Sequence, residues 1–376
     1  MKIVQILPNL TRGGAERICL DICHELIHQG HNVYLILLED KIEYNELLSG
    51  VPFQIIQSDF IPSVLGKSKT NLAKLQKFID IFEPDIIHSH LYKADLVAFN
   101  LNSNAKHISH IHSCRKELNK NLKGDSIKNK IIFKTERKTF KNLLKRKNVM
   151  QIAISKDTLN FAIIELGQKL NKNVILLHNC IDFSKFKGVP KQLPPKKQSI
   201  KLINIGRFVP KKNQIFLIEV ANYLQSKNID FNLSLLGDGN LLDQSKIKAK
   251  ESQLEKRINF LGMISNPEDH LKSSTIYIHS ALEEPFGLVL IEAMAAGVPV
   301  ITLDGKGNRD IIKEGENGFM IWDKSVEKFG QKIIELVNTP EEYNKISKFA
   351  INYASKYNVK NYIINLLSIY NSELTK

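Results

Sequence analysis

The 376-residue sequence is poor in cysteine and in long apolar runs, and each shortage excludes a class of protein. Four cysteines are too few for a disulfide framework, and no second pair follows Cys19 and Cys23 at the spacing of zinc ligands. No run of about 18 apolar residues is available to cross a membrane, and the first residues lack a signal-peptide pattern. These shortages predict a soluble, cytoplasmic chain without structural disulfides or a metal site.

Acidic residues are also scarce, since 53 lysines and arginines face 39 aspartates and glutamates, a formal net charge of +14. Much of the excess lies in residues 115–147, which hold 13 basic and 3 acidic residues. Apolar side chains recur there at helical spacings, at Ile127, Ile131, Phe140, Leu143 and Leu144. The pattern indicates a basic amphipathic helix that meets an anionic membrane surface or an acidic substrate, or one that packs its apolar stripe and leaves the charges solvated. Nucleic acid is disfavoured as a partner, because no basic motif with interleaved aromatic residues accompanies the charge.

Short apolar strands alternate with amphipathic helices along the chain, which is typical of an α/β protein with parallel sheets. The predicted strands are residues 2–7, 32–37, 85–90, 107–112, 149–155, 201–206, 231–237, 258–262, 275–280 and 298–302. A chain this long exceeds one hydrophobic core, and the Pro- and Lys-rich residues 187–199 read as a linker. We therefore predict two α/β domains, 1–186 and 200–355, facing a cleft, and a final helix at 356–376 that packs back toward the first domain.

The segment SALEEPFGLVLIEAMAAGVPVIT, residues 280–302, places one carboxylate, Glu292, in an otherwise apolar helix. A buried carboxylate without partners costs several kcal/mol, so Glu292 needs a partner or a ligand. The helix N-terminus around residues 286–288 offers amides to an anion, and Glu284 and Glu292 suit hydroxyl donors. Phosphate and polyol together indicate a nucleotide sugar. The alternative is that Glu292 is a satisfied core charge and Glu284 a surface residue.

Other strand ends carry residues suited to phosphate. Gly13 and Gly14 open the first helix and let a ligand approach the backbone, although a plain turn explains them equally well. Arg207 and Lys212, in INIGRFVPKKNQ, can clamp a diphosphate or lie in a solvated loop. Gly237, in LLGDGN, marks a third glycine-rich strand end.

Histidines cluster at two neighbouring strand ends, as His88 with His90 and as His110 with His112. Alternation along a strand points both members of each pair to one side of the sheet. A metal site is conceivable, but acidic ligands are not obvious, so hydrogen bonding to substrate is preferred. His24 and His28 also stand four residues apart on a helix, where a solvated face is favoured over a metal site.

Taken together, these segments resemble the family 4 retaining glycosyltransferases of the GT-B fold over nearly the whole chain. The matching segments, in order, are GGAER, PDIIHSH, the strand ending in His112, IAISK, HNCIDFSKF, GRFVPKKN, GDGN, FLG, EEPFGLVLIEAMAAGVPVIT and GENGFMI. The Glu-x7-Glu pattern of Glu284 and Glu292 is the most specific of them. The resemblance implies two Rossmann-like parallel-sheet domains facing a central cleft, with the acceptor on the first and the nucleotide sugar on the second.

The resemblance also implies roles for individual residues. Glu284 would contact hydroxyl groups of the donor sugar, and Glu292 would contact those of the ribose. Arg207 and Lys212 would neutralise the departing diphosphate. His112 would lie near the reacting sugar. The remaining donor-binding residues would be Gly14 near the phosphates, Gly237 at a strand end, Met263 and Ile264 at the base, and the amides near Phe286, Gly287 and Leu288.

The implied activity is transfer of a hexose or N-acetylhexosamine, with retention of configuration, from a nucleotide-diphospho-sugar, with UDP favoured. The acceptor would be a glycan or a polyprenyl-linked precursor of a bacterial surface polysaccharide, such as lipopolysaccharide or capsule, at the inner face of the plasma membrane. The donor is a substrate, so no cofactor is expected, and the two cations imply a metal-independent reaction. The alternatives are a nucleotide-sugar epimerase, a non-catalytic binding module and a dinucleotide-dependent oxidoreductase, the last disfavoured because G-x-G-x-x-G is absent after the first strand.

Two segments depart from the family pattern. Cys180 stands where the family often has glycine, which puts the local turn in doubt. GKGNRDII stands where many members have a Pro-Glu pair, which leaves the roles of Asn308 and Asp310 open.

Overall fold

A computed structural model of the chain describes residues 1–61, 69–114, 127–193 and 199–376. The chain divides into two compact units. The first unit contains Met1–Cys180 together with Val359–Lys376, and the second contains Ile181–Asn358. Both ends of the chain therefore belong to the first unit.

Each unit is built on one parallel sheet. The strands are β1 (Lys2–Leu7), β2 (Asn32–Leu37), β3 (Phe53–Ile55), β4 (Asp59–Ile61), β5 (Lys69–Asn71), β6 (Ile86–His90), β7 (Lys106–Ile111), β8 (Met150–Ala153), β9 (Val174–Leu176), β10 (Ile200–Ile205), β11 (Phe231–Leu236), β12 (Ile258–Gly262), β13 (Ile276–His279), β14 (Val300–Leu303) and β15 (Gly318–Ile321). The first sheet has the order β3-β2-β1-β6-β7-β8-β9, and the second has the order β12-β11-β10-β13-β14-β15. Every pairing within these two sheets is parallel, while β4 and β5 form a separate antiparallel pair. The predicted α/β class with parallel sheets is confirmed.

Helices connect successive strands. They are α1 (Gly14–His28), α2 (Ala73–Phe82), α3 (Leu91–Ala98), α4 (Ile127–Arg146), α5 (Lys156–Asn160), α6 (Phe183–Phe186), α7 (Gln214–Ser226), α8 (Leu242–Glu251), α9 (Pro267–Ser273), α10 (Leu288–Ala295), α11 (Val326–Asn338), α12 (Pro340–Ala354) and α13 (Val359–Leu374). Short 3-10 turns lie at Asn45–Leu47, Pro210–Lys212, Gly307–Asp310 and Ser355–Tyr357, and a π-helical turn lies at Phe161–Glu165. A strand followed by a helix and a parallel strand is the repeating unit of both sheets.

All ten strands predicted from apolar runs are present, because a strand of a parallel sheet is covered on both faces and is apolar along its length. The strands β13 and β14, for example, are buried at every position. The prediction missed β3, β4, β5, β9 and β15, which are three or four residues long. Runs this short show no periodicity that separates them from loops.

The segment read as a linker is attached to the second unit. The amide of Gly188 donates to the carbonyl of Ala295 at 2.9 Å, and the amide of Lys191 donates to the Ser347 hydroxyl at 2.6 Å. The change of unit falls at Cys180, earlier than the predicted first-domain end at residue 186. Residues 194–198 of the predicted linker lie outside the described residues.

The last helix, α13, packs on α1 within the first unit. It begins at Val359, after a short 3-10 turn that separates it from α12. The predicted boundary for this final segment is residue 356. The helical character expected beyond Pro340 is confirmed by α12 and α13.

The basic segment forms the helix α4 over its second part, and residues 115–126 lie outside the described residues. Its apolar stripe packs into the first unit, with Phe140, Leu143 and Leu144 buried in the core, whereas Ile131 is 49% exposed. Within the described ranges, no helix combines the length and the apolar character needed to cross a bilayer. The packed stripe leaves the charge of the helix, rather than its apolar face, available to a partner.

Candidate functional site

The second sheet changes direction of winding between β10 and β13. The strands β11 and β12 lie on one side of β10, and β13, β14 and β15 lie on the other. Loops that leave the carboxyl ends of strands on the two sides diverge there, and ligands of open α/β sheets bind in the resulting crevice. Lys212 follows β10 in a 3-10 turn, and Glu284 follows β13 in a loop. The chain therefore brings a cation and a carboxylate to this point from opposite sides.

Lys212 and Glu284 form a partly buried ion pair at this edge. The Lys212 ammonium donates to Glu284 Oε2 at 2.5 Å, and their side chains are 19% and 9% exposed. His279 Nε2 lies 3.1 Å from the same oxygen, and its Nδ1 lies 3.2 Å from the Tyr277 hydroxyl. That hydroxyl donates to the carbonyl of Ile205 at 3.2 Å, at the end of β10. A chain of polar contacts thus joins the ends of β10 and β13.

The ion pair keeps Glu284 ionised although it is buried. Burial by itself raises the pKa of this carboxyl, but the Lys212 charge and the His279 hydrogen bond outweigh burial and hold the pKa well below its usual range. Burial lowers the pKa of His279, and the hydrogen bond to Glu284 opposes that shift only in part. At neutral pH the site therefore holds one carboxylate, one ammonium and a neutral imidazole.

Two glycines hold the Glu284 loop in place. A Cβ atom at Gly305 would lie 2.7 Å from the Cβ of Glu284, and one at Gly307 would lie 2.0 Å from the carbonyl oxygen of Pro285. The Glu284 amide donates to the Gly305 carbonyl at 2.7 Å. Asn308 supports the same turn, because its side chain accepts from the Gly305 amide at 2.9 Å and donates to Thr302 and to the Leu303 carbonyl. Asn308, in the segment that departs from the family pattern, thus orders the loop.

The helix α10 begins directly after this loop, with Gly287 as its N-cap at φ 104° and no capping side chain. Its buried face packs into the second unit through residues such as Leu290, Ile291 and Met294. Leu288, Val289 and Glu292 share the opposite, half-exposed face. The helix is therefore not buried on every side, as its apolar composition predicted, because Glu292 lies on a partly exposed face.

The remaining predicted donor residues of this unit lie on loops at the same sheet edge. Arg207 is exposed just beyond β10, Met263 is 54% exposed just beyond β12, and Ile264 is half-buried next to it. Gly237 ends β11 with φ 134°, and a Cβ atom there would lie 2.2 Å from the Gly206 carbonyl oxygen. This close approach requires glycine and brings the ends of β10 and β11 together. Phe286 is buried between the Glu284 loop and α10.

Two predicted site residues belong to the first unit. Gly14 is the exposed first residue of α1, after Gly13 as N-cap. A Cβ atom at Gly13 would lie 2.3 Å from a carboxylate oxygen of Glu16. His112 lies just beyond β7, is 8% exposed, and has its Nε2 atom 2.9 Å from Nδ1 of His90.

Sequence reasoning missed His279 and Tyr277, which complete the polar chain behind Glu284. They stand two residues apart in TIYIHS, so they point to the same side of a strand that ends at the ligand edge. The same alternation drew attention to the histidine pairs of the first half. Applied to β13, it would have placed His279 next to the carboxylate that follows it.

Comparisons with known proteins identify the family and the fold of the chain. The family model described as Glycosyltransferase Family 4 matches residues 12–185, and the one described as Glycosyl transferases group 1 matches residues 186–353. An uncharacterized glycosyltransferase of Haemophilus influenzae is 23% identical over 90% of both chains. A poly(glycerol-phosphate) alpha-glucosyltransferase of Bacillus subtilis is 32% identical over 35% of this chain, and the match spans 20% of that relative. The crystal structure of Anabaena Alr3699/HepE in complex with UDP-glucose superposes with a TM-score of 0.79 at 20% identity, covering 99% of this chain and 100% of its own, and shows the same fold.

Removing only one partner of the ion pair should lower the free energy of unfolding by an amount that depends on pH. Lys212→Met leaves Glu284 buried with His279 alone, so burial raises its pKa above the unfolded value and its ionisation opposes folding. The variant should lose about 3–5 kcal/mol of unfolding free energy at neutral pH, and the loss should shrink as pH falls toward about 5. In the parent chain the pKa is held low, so the contribution of Glu284 is complete at any pH above about 4.3 and is lost only below it.

Urea unfolding of the parent and of each variant at about pH 5 and about pH 8 measures this difference. The double variant Lys212→Met/Glu284→Gln should recover most of the loss, because no unpaired buried charge remains. Lys211→Met, at the exposed neighbouring lysine, is the matched control. Equal, pH-independent losses in Lys212→Met and Lys211→Met would show that the ion pair does not form in solution.

Proposed function

The chain belongs to the family 4 glycosyltransferases of the GT-B fold, and we propose that it moves a hexose or N-acetylhexosamine from a UDP-linked donor with retention of configuration. The observation that carries the proposal is the partly buried Lys212–Glu284 pair beside the start of α10, at the point where the second sheet changes winding. A cation and free amides suit a diphosphate, and carboxylates suit the hydroxyl groups of a sugar and a ribose. A nucleotide sugar presents both kinds of group in one molecule.

Each part of the donor is assigned to residues at this edge. Lys212 and Arg207 neutralise the diphosphate, and the amides at the start of α10 assist them. Glu284 accepts hydrogen bonds from the transferred sugar, and its fixed ionisation makes it an acceptor at any physiological pH. Glu292 accepts from the ribose, and its half-exposed position on α10 leaves its carboxylate within reach of a bound ligand. The lining of the base comprises Met263 and Ile264, and Gly237 lies at the same sheet edge.

The reaction proposed for this site depends on stabilising the leaving group. Positive charge develops at the anomeric carbon as the bond to the diphosphate breaks, and negative charge grows on the phosphate oxygens. Preorganised cations lower the energy of that charge separation without a bound metal or a cofactor. The departing phosphate takes the proton from the acceptor hydroxyl on the same face, which gives retention, and His112 hydrogen-bonds near the reacting sugar. No protein nucleophile is invoked.

The acceptor proposed is a glycan or polyprenyl-linked precursor of a bacterial surface polymer. The Bacillus relative, whose name gives poly(glycerol-phosphate) as its substrate, motivates this choice, together with the basic helix α4. Among the side chains of that helix that the structure describes, four basic ones are exposed, at Lys134, Lys138, Lys145 and Arg146. They offer charge to an anionic membrane surface that carries the precursor.

The membrane contact predicts vesicle binding that depends on these lysines. The triple variant Lys134→Ala/Lys138→Ala/Lys145→Ala should bind anionic vesicles more weakly, because about 1 kcal/mol is contributed by each basic residue near such a surface. Co-sedimentation with vesicles of known anionic lipid content measures the binding of the parent chain and of the variant. The control, Lys246→Ala/Lys250→Ala/Lys256→Ala, removes three exposed lysines of the second unit. Equal binding by both variants would exclude α4 as the membrane contact.

The donor assignment predicts stabilisation by UDP that depends on Glu292. UDP at about a hundredfold its dissociation constant should add about 2.7 kcal/mol and raise the unfolding midpoint by several degrees. Glu292→Ala should reduce this shift strongly, because the ribose hydroxyls lose their acceptor, whereas Glu283→Ala, at the exposed residue beside Glu284, should retain it. Scans with UDP, GDP, ADP and NAD, each alone, identify the base. A shift with NAD alone, or with none of the four, would refute the donor site.

The mechanism predicts the product and the effect of losing the leaving-group cation. With an acceptor that supports turnover, proton NMR of the first product formed should show the anomeric configuration of the donor. Lys212→Ala should lower kcat by about 10²- to 10³-fold, the usual cost of removing one preorganised charge-stabilising donor. An inverted product would contradict the retaining mechanism. Conversion of the donor sugar without any acceptor would instead indicate an epimerase.

A further inference from the structure

One face of the first sheet carries a layer of histidines where apolar side chains are usual. His88 and His90 lie on β6, and His110 and His112 lie on β7 and just beyond it. The two strands are neighbours in parallel register, with His90 opposite His110. His88, His90 and His110 are completely buried. This is an uncommon use of a buried sheet face, since titratable side chains are rarely enclosed without a ligand or a partner.

The three buried imidazoles converge. Their ring centroids are 4.4 Å apart for His88 and His90, 5.2 Å for His90 and His110, and 5.3 Å for His88 and His110. Each ring offers one nitrogen such that the three atoms lie within 4.8 Å of one another. Two histidines at alternate positions of one strand and a third on the adjacent strand can therefore direct nitrogens at a common point.

Several ring nitrogens of this cluster have no hydrogen-bond partner among the described residues. They are Nε2 of His88 and one ring nitrogen of His110, whose other ring nitrogen lies near the Asn179 side chain. A buried polar atom without a partner is unfavourable, and such atoms in a native structure call for an explanation. A shared ligand that accepts lone pairs would satisfy one nitrogen of each ring.

The outer partners of the cluster orient the rings. The Tyr370 hydroxyl, from α13, lies 2.6 Å from Nδ1 of His88, and Oε1 of Gln5, from β1, lies 2.8 Å from Nε2 of His90. These contacts occupy one nitrogen of each ring; Nε2 of His88 has no partner among the described residues, and Nδ1 of His90 faces Nε2 of His112 at 2.9 Å. Metal-binding histidines are held in this way, with the nitrogen that faces away from the ion hydrogen-bonded to a neighbouring group.

The cluster consists of three imidazoles. A metal site was disfavoured from the sequence because no acidic ligands were obvious. Carboxylate ligands are not required, because three imidazoles alone form a known zinc ligand set.

We propose that His88, His90 and His110 bind one divalent transition-metal ion of the zinc class. His112, whose Nε2 lies 2.9 Å from Nδ1 of His90, stands beside the cluster as a fourth nitrogen donor. Imidazole ligands select zinc, cobalt, nickel or copper over magnesium and calcium, which require oxygen. The site lies in the first unit, and its argument does not depend on the donor assignment in the second.

The test is binding of Co²⁺ and Zn²⁺ to the full chain after treatment with a chelator. Equilibrium dialysis and metal analysis should find one ion per chain, and bound Co²⁺ should give the intense visible bands of a low-coordinate nitrogen site. The surface pair is removed first in the variant His24→Ala/His28→Ala, because His28 is largely exposed and could bind an ion by itself. This variant should retain the full stoichiometry and the same spectrum.

A matched pair of variants on β7 separates the cluster from buried histidines in general. His110→Gln should abolish the tight binding, whereas His107→Gln should leave it unchanged. His107 is a suitable control, because it is buried on the same strand and points to the opposite face. Its ring nitrogens also have no hydrogen-bond partner among the described residues. Tyr370→Phe should weaken the affinity by about 10- to 100-fold, as expected when the outer partner of a ligand is lost.

If His110→Gln does not fold, X-ray absorption of the zinc-loaded parent chain tests the site by counting its imidazole ligands. Three or more imidazole nitrogens around the ion would support the site. One or two imidazoles completed by water, loss of binding in His24→Ala/His28→Ala, or no binding of either ion at millimolar concentration would overturn it.

Discussion

The second unit depends on the partly buried ion pair between Lys212 and Glu284. It joins a turn after β10 to a loop after β13, so it closes the point where the sheet changes winding. The pair is held in register by contacts that leave it little freedom: His279 binds the same carboxylate oxygen, and the Glu284 amide bonds to Gly305. The start of α10 follows within four residues of this carboxylate. The orientation of the helix amides is therefore tied to the ion pair.

An ion pair in this position is better explained by ligand binding than by stability. Removing two charges from water costs several kcal/mol for each, and their mutual attraction repays the cost only in part. Apolar residues of similar volume would serve the core equally well. What they could not supply is a fixed charge pattern at a crevice, positive from Lys212 and negative from Glu284, with the start of α10 beside it. Such preorganised charge is useful to a ligand that carries phosphate and hydroxyl groups together.

The ligand edge of the second sheet is predicted well from the sequence where a feature depends on local residue patterns, and less well where it depends on packing. The alternation of apolar segments with amphipathic helices predicts the strands. Pro and Gly in the loops that follow predict that Lys212 and Glu284 lie at strand ends. The burial of Glu292 was predicted incorrectly, because a helical wheel shows composition around a helix but not which side faces the core. Residues 187–193 look like a free linker in composition, yet their amides bond to the second unit, and no local pattern reveals a partner about a hundred residues or more away.

The two sheets differ in how the burial of titratable side chains is compensated. In both, titratable side chains are enclosed where water cannot stabilise their charge. In the second unit Glu284 keeps its charge because Lys212 and His279 compensate it. In the first unit burial lowers the pKa of His88 and His110 and leaves their imidazoles neutral. An ionised pair provides electrostatic recognition, whereas neutral imidazoles provide lone pairs, so the chemistry available at each sheet follows from how burial is compensated there.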